Sequence, residues 1–309
     1  MQKFKVAILG CTGMLGAITL DSFVQSGDFE VVATYRKSAE AEEFIKGYLG
    51  VDFRVLDTEK GTEDEIAETI NGIDWVVNAI GVIKPYIHDD NAAEVERATR
   101  INALFPHLLA KAAQKTGAEI IQIATDCVYS GQKGQYVESD AHDALDVYGK
   151  TKSLGEAHFD NIHHVRCSII GPELKGHLSL MDWFLGNPKK AELNGFTNHQ
   201  WNGVTTLHFA RICQGIIKNS IKLPHIQHVI PGNSIAKSDL LKSFAKEFGR
   251  GDIKINSVKA PTVVDRTLAT SNEKLNKEIW SAAGYSIPPT IEQMVFEVAS
   301  YGFPKKGQK

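Results

Sequence analysis

Short apolar runs recur through the first half of the chain: Lys5–Leu9, Glu30–Thr34, Phe53–Leu56, Trp75–Val77 and Ile120–Ala124. Stretches with helical spacing separate them. Such a strand–helix–strand series predicts an α/β fold, a doubly wound parallel sheet with right-handed crossovers. The longest helical stretch runs from about residue 92 to 115, with Ile101, Leu104, Leu108 and Ala112 spaced onto one face and Pro106 expected to bend it. A second helix is expected to carry Tyr148 through Ala157. After the run His164–Ile170 the regularity weakens, and Gly171-Pro172, Gly176, Gly186-Asn187-Pro188 and Gly195 mark a loop-rich region. The expected division is therefore a sheet domain over residues 1–168 and a smaller lobe over 169–309. Amphipathic helices near 207–218, 238–248 and 290–300 are expected to return segments of that lobe to the sheet domain.

Gly10-Cys11-Thr12-Gly13-Met14-Leu15-Gly16 directly follows the first apolar run and opens a helix. In that setting the turn's amides and the positive end of the helix dipole face an incoming pyrophosphate. The first domain is thus read as a dinucleotide-binding Rossmann fold, with Gly10, Thr12, Gly13, Met14, Leu15 and Gly16 at the phosphates. After the second run the chain reads Thr34-Tyr35-Arg36-Lys37-Ser38, where an NAD-selective site would carry Asp or Glu. Two cations there favour NADP(H) over NAD(H), since an arginine can clasp the extra 2′-phosphate whereas a carboxylate repels it. Asp57, at the end of the third run, is read either as an acceptor for the adenine amine or as the cap of the next helix. Asn78-Ala79-Ile80-Gly81, ending the fourth run, reads as a floor under the adenosine ribose or as a plain strand-end turn.

Composition narrows the partners. With 309 residues, 43% hydrophobic and 23% charged, the chain can bury a large core. A formal net charge of -3 and no long basic run leave no electrostatic footprint for nucleic acid or an anionic membrane, so a small-molecule partner is expected. The start, Met1 to Lys5, passes straight into the first strand, which argues against a signal peptide and for the cytoplasm. The stretch Lys305-Lys306-Gly307-Gln308-Lys309 reads as a solvated tail. Cys11, Cys127, Cys167 and Cys213 are dispersed beside apolar segments, which suits reduced thiols. The spacing of the histidines suggests no metal site.

Tyr148 and Lys152 stand four residues apart, about one helical turn, so the phenol and ammonium project from one face. A fixed positive charge beside a phenol is expected to favour the phenolate and to equip Tyr148 for acid–base chemistry. Upstream lies Ala124-Thr125-Asp126-Cys127-Val128-Tyr129-Ser130-Gly131, and between the two lies Gly134-Gln135-Tyr136-Val137-Glu138-Ser139-Asp140. With the Gly-x-x-Gly-x-x-Gly turn, these segments resemble the extended short-chain dehydrogenase/reductase family, and within it the dTDP-4-dehydrorhamnose reductase branch.

That resemblance implies that Thr125 binds the substrate carbonyl, that Tyr148 donates the proton and that Lys152 holds the nicotinamide ribose. It implies a cofactor set of Gly10, Thr12, Gly13, Met14, Leu15, Gly16, Tyr35, Arg36, Lys37, Asp57, Ala79, Gly81, Tyr148 and Lys152. On the substrate side it implies Val82, Thr125, Asp126, Cys127, Tyr148 and Trp201. Related 4,6-dehydratases follow the aspartate with a glutamate, and the reductase branch usually has tyrosine there. Cys127 therefore disfavours dehydration and leaves the sugar open. Gln200–Thr206 is similar to a loop that closes over the sugar, with Trp201 stacking on it or packing in the core. Arg166 and Gly171-Pro172 are expected beside the nicotinamide. The expected function is NADPH-dependent reduction of the C4 ketone of a nucleotide-linked 4-keto-6-deoxy sugar in deoxysugar or surface polysaccharide biosynthesis, by a possible homodimer. An NAD-retaining 4-epimerase and a non-catalytic subunit resembling that of methionine adenosyltransferase stand as alternatives.

Overall fold

Strands of a sheet covered on both faces must be apolar on both, and the first strand obeys this rule. In the computed structural model, which describes residues 3–303, β1 (Lys5–Leu9) sends Val6 and Ile8 into one core and Ala7 and Leu9 into the other. It is followed by β2 (Glu30–Tyr35), β3 (Asp52–Val55), β4 (Trp75–Asn78), β5 (Glu119–Ala124) and β6 (Ile162–Arg166). Val76 and Val77, like Ile120 and Ile121, divide between the same two cores. The intervening helices are α1 (Met14–Ser26), α2 (Ala39–Ile45), α3 (Glu63–Thr69), α4 (Ala92–Ala98), α5 (Phe105–Thr116) and α6 (Val147–Leu154).

The remainder comprises β7 (Ile169–Ile170), α7 (Leu180–Leu185), β8 (Glu192–Phe196), β9 (His199–Trp201), β10 (Val204–Thr205), α8 (Thr206–Lys218), β11 (Ile226–His228), β12 (Ile235–Ala236), α9 (Lys237–Glu247), β13 (Lys254–Val258), β14 (Val264–Asp265), α10 (Glu273–Ala282) and α11 (Ile291–Tyr301). The central sheet is parallel throughout, in the order β11-β6-β5-β4-β1-β2-β3. Strand order reverses between β1 and β4, and a crevice opens there beyond their carboxyl ends. Segments beyond residue 168 return twice to this sheet. Helix α8 packs on α1, with Gln214 Nε2 donating to Ser22 Oγ at 3.1 Å and Lys218 paired to Asp28 at 2.8 Å, and β11 extends the sheet beside β6.

The run His164–Ile170 divides: the chain leaves the sheet after Arg166, and Ile169–Ile170 pairs with Val204–Thr205. One expectation changes. The long helix is not merely bent at Pro106. Residues 99–104 form a π-helical turn, in which the Phe105 amide donates to the Arg100 carbonyl. Pro106 has no N–H to give the Asn102 carbonyl and its ring would clash there, so the helix widens just upstream of it. The extra residue rotates the apolar stripe: Ile101 and Ala112 are buried, whereas Leu104 is 48% exposed.

The widened turn turns the Asn102 carbonyl toward the end of α6. A Cβ built on Gly155 would lie 1.9 Å from that oxygen, although the glycine's φ of -79° is open to any residue. Gly155→Ala should therefore lower unfolding free energy by roughly 1–3 kcal/mol through overpacking, read by denaturant melting. An unchanged midpoint and slope would show that the two elements are not held this closely.

Candidate active site

The crevice is built from the ends of β1, β4 and β5. Three glycines of the first turn do three jobs. Gly10 takes a φ of +77°, and a Cβ on it would meet Ile80 Cγ1 at 2.7 Å; Gly13 precedes α1 with no side-chain cap; and a Cβ on Gly16 would strike the Gly10 carbonyl at 2.1 Å. The last contact keeps α1 close to β1. The uncapped first turn of a thirteen-residue helix leaves amide donors facing the crevice, which fits a pyrophosphate.

The crevice has two lobes that share a wall of Gly13, Met14 and Ala79–Ile83. One, of about 440 Å³, is lined by Gly10, Thr12, Tyr35, Arg36, Arg97 and Lys175 among others. The other, of about 300 Å³, brings together Leu15, Thr125, Asp126, Cys127, Tyr148 and Lys152, with Ala79, Gly81 and Val82 at the junction. Several sequence-predicted residues lie elsewhere. Lys37 lines neither lobe, Gly16 works in packing, and Asp57 Oδ1 accepts the Glu59 amide at 3.0 Å while Thr62 caps α3. Trp201 lies outside both lobes and packs on the core, with Cζ2 where a Gly203 Cβ would need to be. The wall expected from Gly171-Pro172 is formed instead by Cys167, Ser168, Ile169 and Leu178–Leu180. Lys84, Arg97 and Lys175 were not read from the sequence. They come from segments far from the glycine turn, and only folding brings them to it.

Tyr148 and Lys152 sit one turn apart on α6, whose start is fixed by Asp146, the acceptor for the Gly149 amide at 2.9 Å and for Lys84 Nζ at 2.9 Å. Gly149 is needed because a Cβ there would sit 2.6 Å from the Cys127 carbonyl. Thr125 Oγ1 accepts the Cys127 amide at 3.1 Å and donates to Asp126 Oδ1 at 3.3 Å, and it lines the same cavity as the Tyr148 phenol.

Electrostatics correct one expectation. Lys152 does not pull Tyr148 toward phenolate in this structure. Burial, with the Cys127 and Asp126 side chains adding to it, pushes the phenol well above its usual value, and the Thr125 side chain only partly opposes this. Burial likewise lowers Lys152 to about 8, against an upward pull from Glu156, and its Nζ donates to the Ile123 carbonyl at 3.3 Å. Tyr148 therefore keeps its phenolic proton at neutral pH. Burial also raises the Cys127 thiol to about 12 and holds Asp126 up.

Arg166 is fully buried beneath the lobe and lines neither cavity, contrary to its expected place beside the nicotinamide. Its Nη1 donates to the Thr125 carbonyl at 2.9 Å, and its Nη2 reaches Glu156 Oε1 at 2.7 Å and His142 Nε2 at 3.1 Å. Its guanidinium lies 5.2 Å from the Tyr129 ring centroid. Burial and Arg166 lower His142 to about 4, so it accepts as a neutral ring, and its Nδ1 meets Ser153 Oγ on α6 at 2.7 Å.

A Rossmann crevice with threonine, tyrosine and lysine around one lobe is the arrangement that the resemblance to extended short-chain dehydrogenases/reductases implied. More narrowly, the chain belongs to the RmlD substrate binding domain family, which matches residues 4–298. It is 30% identical to a dTDP-4-dehydrorhamnose reductase of Aggregatibacter actinomycetemcomitans over 162 residues, 49% of this chain and 45% of that one. It is 28% identical to methionine adenosyltransferase 2 subunit beta of Rattus norvegicus over 154 residues, 49% of this chain and 41% of that one. The chain thus spans less than half the length of these curated relatives. A dTDP-4-dehydrorhamnose reductase of Bacillus anthracis in complex with NADP superposes with a TM-score of 0.73, covering 97% of this chain and 100% of that one at 17% identity, a likeness of fold.

Lys152 carries a titration that can be measured directly. Its native value of about 8 lies below the 10.5 of an unperturbed lysine, so between the two the unfolded chain binds more protons. Its contribution to stability therefore rises with pH across that window. The Lys152 side-chain NMR resonances should titrate with a midpoint near 8 in the cofactor-free protein; a midpoint near 10.5 would mean a solvated ammonium.

Proposed function

We propose that the protein is an NADPH-dependent reductase of the C4 ketone of a nucleotide-linked 4-keto-6-deoxy sugar, serving deoxysugar or surface polysaccharide biosynthesis. The observation that carries this reading is the convergence of Thr125, Tyr148 and Lys152 on one lobe that shares a wall with the dinucleotide lobe. In this reading residues 1–168 hold the dinucleotide and 169–309 mainly the sugar nucleotide, and the enzyme works in the cytoplasm. A homodimer through the helical faces bearing the exposed Leu104 and Leu154 goes with it.

Bound NADPH supplies a hydride. The chain's own part is to orient the carbonyl and deliver a proton. Thr125 Oγ1 and the Tyr148 phenol line one cavity and address one oxygen, and Tyr148, kept protonated by burial, gives that oxygen its proton. Lys152 stands beside Gly81, within 4.0 Å of where a Cβ there would lie, and holds the ribose hydroxyls of the cofactor. Val82, Asp126 and Cys127 border the sugar. A thiol with its value near 12 is no base at neutral pH, which separates this chemistry from dehydration. The cationic Arg36 and Arg97 around the other lobe favour NADPH over the NAD of an epimerase, and an intact acid in a lined cavity has no use in a purely regulatory subunit.

The test is oxidation of NADPH, with NADH in parallel, against dTDP-, UDP- and GDP-linked 4-keto-6-deoxy sugars. Turnover with one of them is expected. Tyr148→Phe should cut that turnover by roughly a hundred- to ten-thousandfold, the usual share of a general acid, and leave dinucleotide affinity unchanged. Retained turnover in the variant would overturn the assignment.

A further inference from the structure

At the wall of the dinucleotide lobe stands an ion triplet, two of whose members line the lobe, that the glycine turn and the Tyr–Lys pair do not explain. Arg36 Nη1, just beyond β2, and Arg97 Nε, on α4, both donate to one oxygen, Glu59 Oε1, at 3.0 Å and 3.1 Å. Both arginines line the lobe, and Lys175 lines it from the opposite segment. Glu59 is held in place from behind, because its amide donates to Asp57 Oδ1 at 3.0 Å. Glu59 itself stands behind the lining, and the carboxylate that does line the lobe, Glu173, is committed elsewhere, its Oε2 accepting the Ser179 amide at 3.0 Å.

Two guanidiniums converging on a point repel unless an anion stands between them, and a single carboxylate supplies that anion here. Each arginine gives Glu59 one donor and keeps the rest of its planar fork for another acceptor. A phosphate monoester brought to this fork meets attraction from two arginines and repulsion from the carboxylate between them. A ribose hydroxyl in the same place meets neither at comparable strength.

Building on the NADPH reading, we propose that Glu59 is a specificity-determining residue: it is the internal anion with which the cofactor's 2′-phosphate must compete for Arg36 and Arg97, and it narrows the preference for NADPH over NADH. Arg97 is then the second phosphate-binding arginine beside Arg36. The partly exposed position of the triplet, with side-chain exposures of 59%, 30% and 39% for Arg36, Glu59 and Arg97, keeps the effect modest.

The test is equilibrium binding of NADPH, NADH, 2′,5′-ADP and 5′-AMP to the full chain and to Glu59→Gln and Arg97→Met, with thermal melting to verify that each variant is folded. Glu59→Gln should bind NADPH and 2′,5′-ADP roughly three- to tenfold more tightly, with NADH and 5′-AMP within about twofold of the parent, as expected for relief of one partly screened charge. Arg97→Met should weaken only the two 2′-phosphate ligands, and in the double variant the gain from Glu59→Gln should shrink, since the two residues share one network. Unchanged or weaker NADPH binding by Glu59→Gln would overturn the proposal in favour of a carboxylate that merely organises the arginines. Weaker NADH binding would overturn it in favour of a hydroxyl acceptor. A parent chain that binds neither dinucleotide would reject the cofactor reading and this proposal together, whereas NADPH binding with no response to Glu59→Gln would reject this proposal alone.

Discussion

The site rests on a guanidinium that never reaches it. Arg166, at the end of β6, ties the Thr125 carbonyl to Glu156 and His142 in the core beneath the lobe. Thr125 follows β5, Glu156 follows α6, and His142 meets Ser153 on α6. One charge thus joins the strand that presents the threonine to the helix that presents the tyrosine and lysine. Burying an arginine is costly unless its donors are met; here a carbonyl takes Nη1, a carboxylate and a neutral imidazole take Nη2, the guanidinium lies near the Tyr129 ring, and Nε stays without a hydrogen-bond partner. The arrangement places the Thr125 and Tyr148 side chains on one cavity. It also surrounds Lys152, whose charge is disfavoured by burial and by Arg166 and sustained by Glu156.

Much of the scaffold was legible in the chain because burial on two faces writes itself as apolar runs. The five runs of the first half became β1 to β5 with shifts of no more than one residue at their ends. Four-residue spacing between Tyr148 and Lys152 survived for the same reason, since it records a helical turn directly. The π turn at residues 99–104 did not show itself. Ile101, Leu104, Leu108 and Ala112 keep α-helical spacing, and only the missing donor of Pro106, acting against the close approach of Gly155, widens the turn and exposes Leu104. Strand β11 was invisible because its buried Gln227 and His228 are polar and are paid for by Glu138, Thr270 and backbone carbonyls rather than by apolar neighbours. The arginine pair around Glu59 needed a contact between residues 38 apart in sequence, which no local pattern announces.

Burial also changes how the Tyr–Lys pair is understood. On a helix drawn alone, a lysine one turn away lowers a phenol. Inside this lobe both groups are pushed toward their neutral forms, the phenol up and the ammonium down to about 8. A reduction needs a proton that stays in place until the carbonyl oxygen gains charge, and a half-buried phenol in the cavity that Thr125 also lines meets that need.

The central claim is that this lobe directs two electrons and one proton onto a single ketone. NADPH carrying deuterium at the transferable position, mixed with the protein and a nucleotide-linked 4-keto-6-deoxy sugar, tests it most directly by NMR of the product. The account predicts one deuterium on the former ketone carbon, C4, of a single epimer. Product formed without deuterium at C4, or with the label retained in the nucleotide cofactor, would contradict it.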